Sequence, residues 1–450
     1  MLTIVEITPI RPISRIRFNA FVSYARSAAV QIISEELAWF EVGNSDVFAT
    51  LLVDNEAEFA VIVFAADLAG KYRWVNQTLF ASTPAEAMDA LPAVIAATTQ
   101  DLQRARVQGD ESQPVDFFTP VVPETRLDPV FRRLLETQGW APAREMIGLL
   151  MRWYENQDGN FVQQFQSDGF DARLWELYTF AVLVEAGFDL DQPTPAPDFE
   201  AVGLRGRIFV EATTLNPSRA GQSPAASTLP TQRDELAAYI ENYIPIRFAR
   251  SLMAKLRSAY WTKSWWRPLP FVIAVQDFHA GHSMTFSAEA LRRYLYALGE
   301  AHGDSMGPQR ITEHAWGNQR AQSGFFDLPG AEHVSAVLFN PSGTLAKFNR
   351  MGAAAGLGGA PPMIHSGLQF DAGRERATRF AREVGPDYSE GWIDGTQIFH
   401  NPRALHPLDP DLLPDAAHVW LGQDGFQERI PDGHLLMSVN AIVNVVAGNG

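Results

Sequence analysis

Three acidic residues sit where a charge is expensive. Glu176 interrupts the run Leu174-Trp175-Glu176-Leu177-Tyr178, Asp198 follows a bend built on Pro193, Pro195 and Pro197, and Glu211 interrupts Ile208-Phe209-Val210-Glu211-Ala212. A carboxylate in apolar surroundings is costly unless a metal, a cation or a proton answers it. Three of them together describe a site for a hard cation. Mg²⁺ takes oxygen ligands from one or two carboxylates and keeps waters and phosphates as the rest.

The elements that must carry these acids are readable. The spacing predicts a helix from Asp171 to Glu185, capped at Asp171. It is apolar nearly all round and therefore buried. At about 100° per residue, Glu176 falls between Phe180 and Leu183. A turn at Ala186-Gly187 and a short strand around Phe188 to Leu190 follow, then the bend that delivers Asp198. The next strand runs from Arg207 to Thr214. Strand side chains alternate, so Phe209, Glu211 and Thr213 share one face and Ile208, Val210 and Ala212 take the other. A strand apolar on both faces is covered on both sides. A long helical stretch from about Asp234 to Tyr260, open to a break at Pro245, precedes the apolar strand Phe271 to Val275.

Pro197-Asp198-Phe199, followed by Val210-Glu211-Ala212-Thr213, resembles the motif of the PD-(D/E)XK nuclease superfamily. The resemblance covers roughly residues 171–277. It implies an α/β restriction-endonuclease-like core of helix, three strands, helix and strand. The function implied is metal-dependent hydrolysis of phosphodiester bonds, with Mg²⁺ or Mn²⁺ as cofactor and nucleic acid, DNA above all, as partner. Restriction or phage defence is the setting it suggests. Asp198, Glu211 and the carbonyl of Ala212 would hold the metal, and Glu176 would complete a second position or orient a water.

The family places a lysine two residues after the second acid, where this chain has Thr213. Some members supply the lysine from the following helix, and Lys255 is the candidate. On a helical projection it falls beside Phe248 at the rim of an arc formed by Phe248, Leu252, Leu256, Ala259 and Tyr260. A snorkelling stem explains that position as well as a catalytic cation does. Thr213, on the Glu211 face, is placed to hydrogen-bond a water.

The chain has 450 residues and a formal net charge of −16. That balance argues against a generally basic nucleic-acid binder, but the distribution is uneven. Asn242 to Arg267 contains no acidic residue. It holds Arg247, Arg250, Lys255, Arg257, Lys263 and Arg267, interleaved with Tyr260, Trp261, Trp265 and Trp266. Cations among aromatic rings suit a phosphate backbone and stacked bases. A solvated helix face followed by core tryptophans is the plainer reading. There are no cysteines, which excludes disulfides and suits a reducing cytoplasm. No apolar run is long enough to span a bilayer.

Four regions are expected. Residues 1–106 read as an N-terminal α+β accessory domain. It has a helix from Ala20 to Ile33 capped by Asn19, a meander of strands Leu37 to Val42, Val47 to Val53 and Phe59 to Phe64, and a helix opened by the Thr83-Pro84-Ala85-Glu86 capping box. Residues 107–127 are a linker. Residues 128–300 hold the nuclease-like core with preceding helices, the first opened by Asp128-Pro129. Residues 301–450 form a mixed C-terminal extension. The loop Leu215 to Gln232 is placed to close over substrate. His279 and His282 are three apart in a loop, a weak metal signal. Gly352 to Gly359 reads as a flexible connection, with Lys347 and Arg350 before it as possible phosphate contacts. Two other functions are consistent with the residues: a catalytically silent nucleic-acid binder on the same fold, and a protein-interaction module. A homodimer would suit double-strand cleavage.

Overall fold

A computed structural model describes residues 9–26, 28–43, 45–111, 116–154, 159–191, 196–216, 229–281, 284–299, 309–359 and 361–442. The architecture is mixed α/β, organised on an eight-stranded sheet. From one edge the strands run Asp189–Asp191, Phe199–Gly203, Gly206–Leu215, Phe271–Asp277, Ala336–Phe339, Gln397–His400, Ala417–Gly422 and Gly425–Arg429. The first three form an antiparallel meander. Phe271–Asp277 then pairs in parallel with Gly206–Leu215, with Glu211 opposite Ile273.

Alternation along the central strands sorts their side chains onto two faces. Ile208, Val210, Val272, Ala274, Ala336 and Leu338 join the core beneath the helix Phe170–Glu185. Phe209, Phe271, Ile273, Val337 and Phe339 join the core beneath the helix Ile244–Ser258. The period of two in the pleat is what makes this sorting possible. The first helix is buried along its length, and Trp175 locks it to the sheet by donating from Nε1 to the Ala274 carbonyl at 3.0 Å. Its start differs from the sequence reading. Gly169 holds the cap position, and Asp171 lies in the first turn, where burial and the nearby Asp128 push its carboxyl up to about 6. The long stretch after Gln232 is Arg233–Ala238, a π-helical turn at Tyr239–Tyr243, and Ile244–Ser258. Pro245 falls in the first turn of the last piece, where its missing N–H is tolerated.

The N-terminal region is a five-stranded antiparallel sheet in simple chain order. Its predicted helix is broken. Ser14 caps Arg15–Val22 by accepting from Arg17 N, a 3₁₀ turn follows, and Ala28–Ile33 is separate. Asn19 lies inside the first helix and accepts instead from Arg26 at 2.8 Å. Thr83 caps Pro84–Gln100 and Asp128 caps Pro129–Glu136, as the sequence indicates. Phe18, Phe48, Phe64 and Tyr72 enter the same core as Trp175 and Val210, so residues 1–106 share apolar contact with the central sheet. Four of the eight strands lie beyond residue 300, and the boundary drawn there falls inside one sheet.

Gly352 to Gly359 is not a loose connection. The helix Leu345–Ala354 packs against Ala141–Met151, and a Cβ at Gly352 or Gly358 would collide with the backbone of Pro142. Lys347 and Arg350 are buried rather than presented to phosphate. Both donate to Glu390, at 2.6 and 2.7 Å, and Tyr388 donates to it as well. Residues 217–228, most of the expected closing loop, and His282 lie outside the described residues. Among the described residues no helix is long and apolar enough to cross a membrane.

Candidate active site

The meander brings Asp198 beside Glu211. Phe199 pairs antiparallel with Val210, so Asp198, one step before it, falls opposite Glu211. Two hydrogen bonds tie them: Asp198 N donates to Glu211 Oε2 at 3.2 Å, and Ala212 N donates to Asp198 Oδ2 at 2.7 Å. Glu211 is 3% exposed and Asp198 is half-buried.

The helix Ile244–Ser258 supplies the cation. Phe248, Leu252 and Leu256 bury its core face, and Lys255 stands at the rim. Its Nζ lies 2.5 Å from Glu211 Oε1. Burial disfavours the ammonium, but Glu211, then Asp198 and Glu176, outweigh it and hold the Lys255 pKa above its usual value. The helix ends at Ala259 in the left-handed conformation, φ 43°, uncommon for a residue with a Cβ. That turn precedes Tyr260, whose hydroxyl donates to the same Glu211 oxygen at 2.8 Å.

Glu176 arrives from the other side of the sheet. Its carboxylate accepts from Arg173 Nη1 at 2.7 Å and from the Tyr154 hydroxyl. Three acids, Glu176, Asp198 and Glu211, therefore face two cations, Arg173 and Lys255. The imbalance falls on Asp198. Burial first, then the charges of Glu211 and Glu176, raise its pKa well above the usual aspartate value.

That shift has a thermodynamic sign. A carboxyl with a raised folded-state pKa binds its proton more tightly in the folded chain, so its contribution to stability is present at low pH and lost as pH rises through that value. At neutral pH an ionised Asp198 is a burden that a cation would relieve. Asp198→Asn is accordingly expected to raise the thermal midpoint of the metal-free chain at pH 7–8 by roughly 1–2 °C. A scan by differential fluorimetry checks this, and a lowered midpoint would refute the electrostatic assignment.

Thr213 shares the Glu211 face but is engaged. Its Oγ1 lies 2.8 Å from Ser251 Oγ, one turn before Lys255 on the same helix. It pins strand to helix, and Lys255 is the residue that brings charge.

The basic-aromatic segment divides. Arg250, Arg257, Lys263 and Arg267 are exposed and Arg247 is half-buried. Arg267 is paired with Glu200, Arg247 donates to the Asn216 carbonyl, and Arg250 donates to Gln319. Trp266 packs on Phe209 at 4.8 Å, with Trp265 6.1 Å from it. Much of the aromatic content thus serves the core, leaving Arg250, Arg257 and Lys263 as exposed cations, the first two on the side of the helix away from Lys255. His279 is buried between Asp277 and Tyr239.

Tyr154 and Arg173 are site residues that the sequence reading did not single out, and Tyr260 was read as part of the core-facing arc and the aromatic cluster rather than as a partner of Glu211. Arg173 carried a local signal, since a cation three residues from a buried helical acid is placed to meet it. Tyr154 is 22 residues from its partner and had none.

Among the described residues no three acidic or histidine side chains form a ready-made cage for a metal. The donor set still fits a hard divalent ion. Two adjacent carboxylates suffice for Mg²⁺, with water and phosphate oxygens filling the remaining positions. No family model, no curated protein and no solved structure matches the chain.

Proposed function

We propose that the chain is a divalent-metal-dependent nuclease that hydrolyses DNA phosphodiester bonds on a restriction-endonuclease-like core. The observation that carries the reading is the meeting of Asp198 and Glu211 with Lys255 from the next helix. The order of helix, antiparallel meander, helix and parallel strand supports it. Exposed Arg250, Arg257 and Lys263, on and just beyond the Lys255 helix, supply positive charge in its vicinity.

Asp198 and Glu211, with the Ala212 carbonyl, would hold Mg²⁺ or Mn²⁺. A bound divalent ion lowers the pKa of a coordinated water and offsets negative charge on the scissile phosphate. The side chains do the rest. Lys255 would donate to the attacking water or to a non-bridging phosphate oxygen. Tyr260 holds Glu211 in one rotamer, and Arg173 with Tyr154 fixes Glu176 so that it can orient a water. A water oxygen forms a bond to phosphorus as one P–O ester bond breaks; the water gives up one proton to solvent, and the leaving oxygen takes one up.

The test is incubation of the purified chain with plasmid and linear DNA in Mg²⁺ or Mn²⁺. Nicked or linear products that vanish with EDTA are expected. Lys255→Ala is expected to lower kcat by about 10²-fold with little change in KM, because its contact is made to charge that develops in the transition state. An unchanged kcat would remove Lys255 from the chemistry.

A catalytically silent nucleic-acid binder is the second reading. It is favoured by Thr213 standing where a motif lysine would be, and by the Lys255 charge already answered by Glu211. It requires salt-dependent DNA binding with no divalent-dependent product.

A further inference from the structure

The proposed active site has a neighbour. A cavity of about 370 Å³ opens where the N-terminal sheet meets the core, within the range of small-ligand pockets. Trp153, Tyr24 and Phe180 form its aromatic wall, and Lys71 and Arg73 line it from the N-terminal sheet. Tyr24 stacks on Phe180 at 5.4 Å and lies 6.2 Å from Trp153. Lys71 Nζ and Arg73 Cζ lie 5.5 and 5.4 Å from the Trp153 ring.

The charges differ in how far they are answered. Arg73 is bonded to Asp67 and reaches Asp110 at 3.3 Å. The Lys71 backbone N–H donates to Asp67 at 2.8 Å, but among the described residues its ammonium has no carboxylate partner and is met by the Trp153 ring. An unpaired ammonium against an aromatic wall suits a ligand that is an anion at one end and a flat ring at the other. The exposed Asp189, also on the rim, offers an acceptor for the exocyclic amino group of such a ring.

The pocket and the carboxylates share their walls. Trp153 precedes Tyr154, which donates to Glu176. Glu176, Phe180 and Val184 lie along one face of one helix, and the last two line the pocket. Val184 is roughly 12 Å from Glu176 along the axis at 1.5 Å per residue, or about three to four nucleotides at 3.4 Å each.

We infer, resting on the nuclease reading, that this pocket takes one unstacked nucleotide of the bound strand, a few positions from the bond to be cut. Its phosphate meets Lys71 and its base lies against Trp153 and Tyr24. The N-terminal region then contributes directly to substrate selection.

Binding, not cleavage, is the readout. Fluorescence anisotropy with a labelled 20-mer, in EDTA and at fixed salt, compares the full-length wild type with Lys71→Ala and Lys71→Arg. About tenfold weaker binding by Lys71→Ala, largely restored by Lys71→Arg, is expected, with thermal midpoints unchanged. A single abasic position moved along the oligonucleotide should weaken wild-type binding at one location only. Equal affinity of wild type and Lys71→Ala for the oligonucleotide would overturn the assignment, even if the chain cuts DNA. Lys71-sensitive binding without any metal-dependent product would uphold the pocket while ending the nuclease reading. Deoxynucleoside monophosphates that bind as tightly as the strand without competing with it would also overturn the pocket's link to the strand.

Discussion

Asp198→Ala and Glu211→Ala are each expected to lower metal-dependent DNA cleavage by roughly 10³-fold or more. Each removes one of two carboxylates that would hold the ion. The effects should differ in stability. Removing Asp198 relieves a carboxyl crowded by Glu211 and Glu176, so that variant should fold at least as well as wild type. Removing Glu211 strands Lys255 and Tyr260, both of which donate to its Oε1, so that variant should be less stable. The two losses should also be far from additive, because either one dismantles the same site. Single-turnover cleavage of a labelled duplex measures the first effect and denaturant titration the second. Activity within a few-fold of wild type in both variants would remove the carboxylates from catalysis.

The largest effect on stability is expected at Glu390. This carboxylate is buried with Lys347, which is 0% exposed, and Arg350, which is 2% exposed. Arg350 also donates to Asn440 at 2.9 Å, tying the helix Leu345–Ala354 to the strand Leu435–Ile442. Glu390→Gln keeps the shape and removes the charge, leaving two buried cations without their counter-ion. Breaking a buried pair from one side typically costs about 3–5 kcal/mol, because the stranded charge remains buried. Burial alone would raise the Glu390 pKa, but Arg350 and Lys347 override it and hold it well below the usual glutamate value. Its contribution is therefore present above the unfolded value near 4.5 and lost as pH falls through the folded one. Urea denaturation at pH 7 checks the magnitude. A loss below about 1 kcal/mol would mean that water reaches the cluster.

Local pattern and side-chain alternation carried the reading of the site. Glu211 was legible because a carboxylate in a strand apolar on both faces is conspicuous, and the strand does lie inside the sheet between Phe199–Gly203 and Phe271–Asp277. Lys255 was nominated by the resemblance and placed by the helical projection, and its two competing explanations differ only in what lies opposite, which sequence does not display. What lies opposite is Glu211.

Most of the misreadings share a physical origin, contacts distant in sequence. Lys347 and Arg350 read as exposed cations because Glu390 is about 40 residues away. Gly352 and Gly358 read as part of a flexible link because the backbone they admit belongs to Pro142. The strands beyond residue 300 read as a separate extension because pairing such as Ala336 with Val272 leaves no local trace. The helix expected from Ala20 to Ile33 failed for a local reason. Ser14 offered a cap five residues earlier, and the chain leaves helical geometry at Arg26.

Crystals grown without metal and then soaked in Mn²⁺ give the most direct test, through anomalous scattering. A single peak between the carboxylates of Asp198 and Glu211, with Lys255 Nζ displaced from Glu211 Oε1, is the expected result. No peak at saturating Mn²⁺, with the Lys255–Glu211 pair intact, would contradict a metal-dependent site and leave these groups as an internal ion pair.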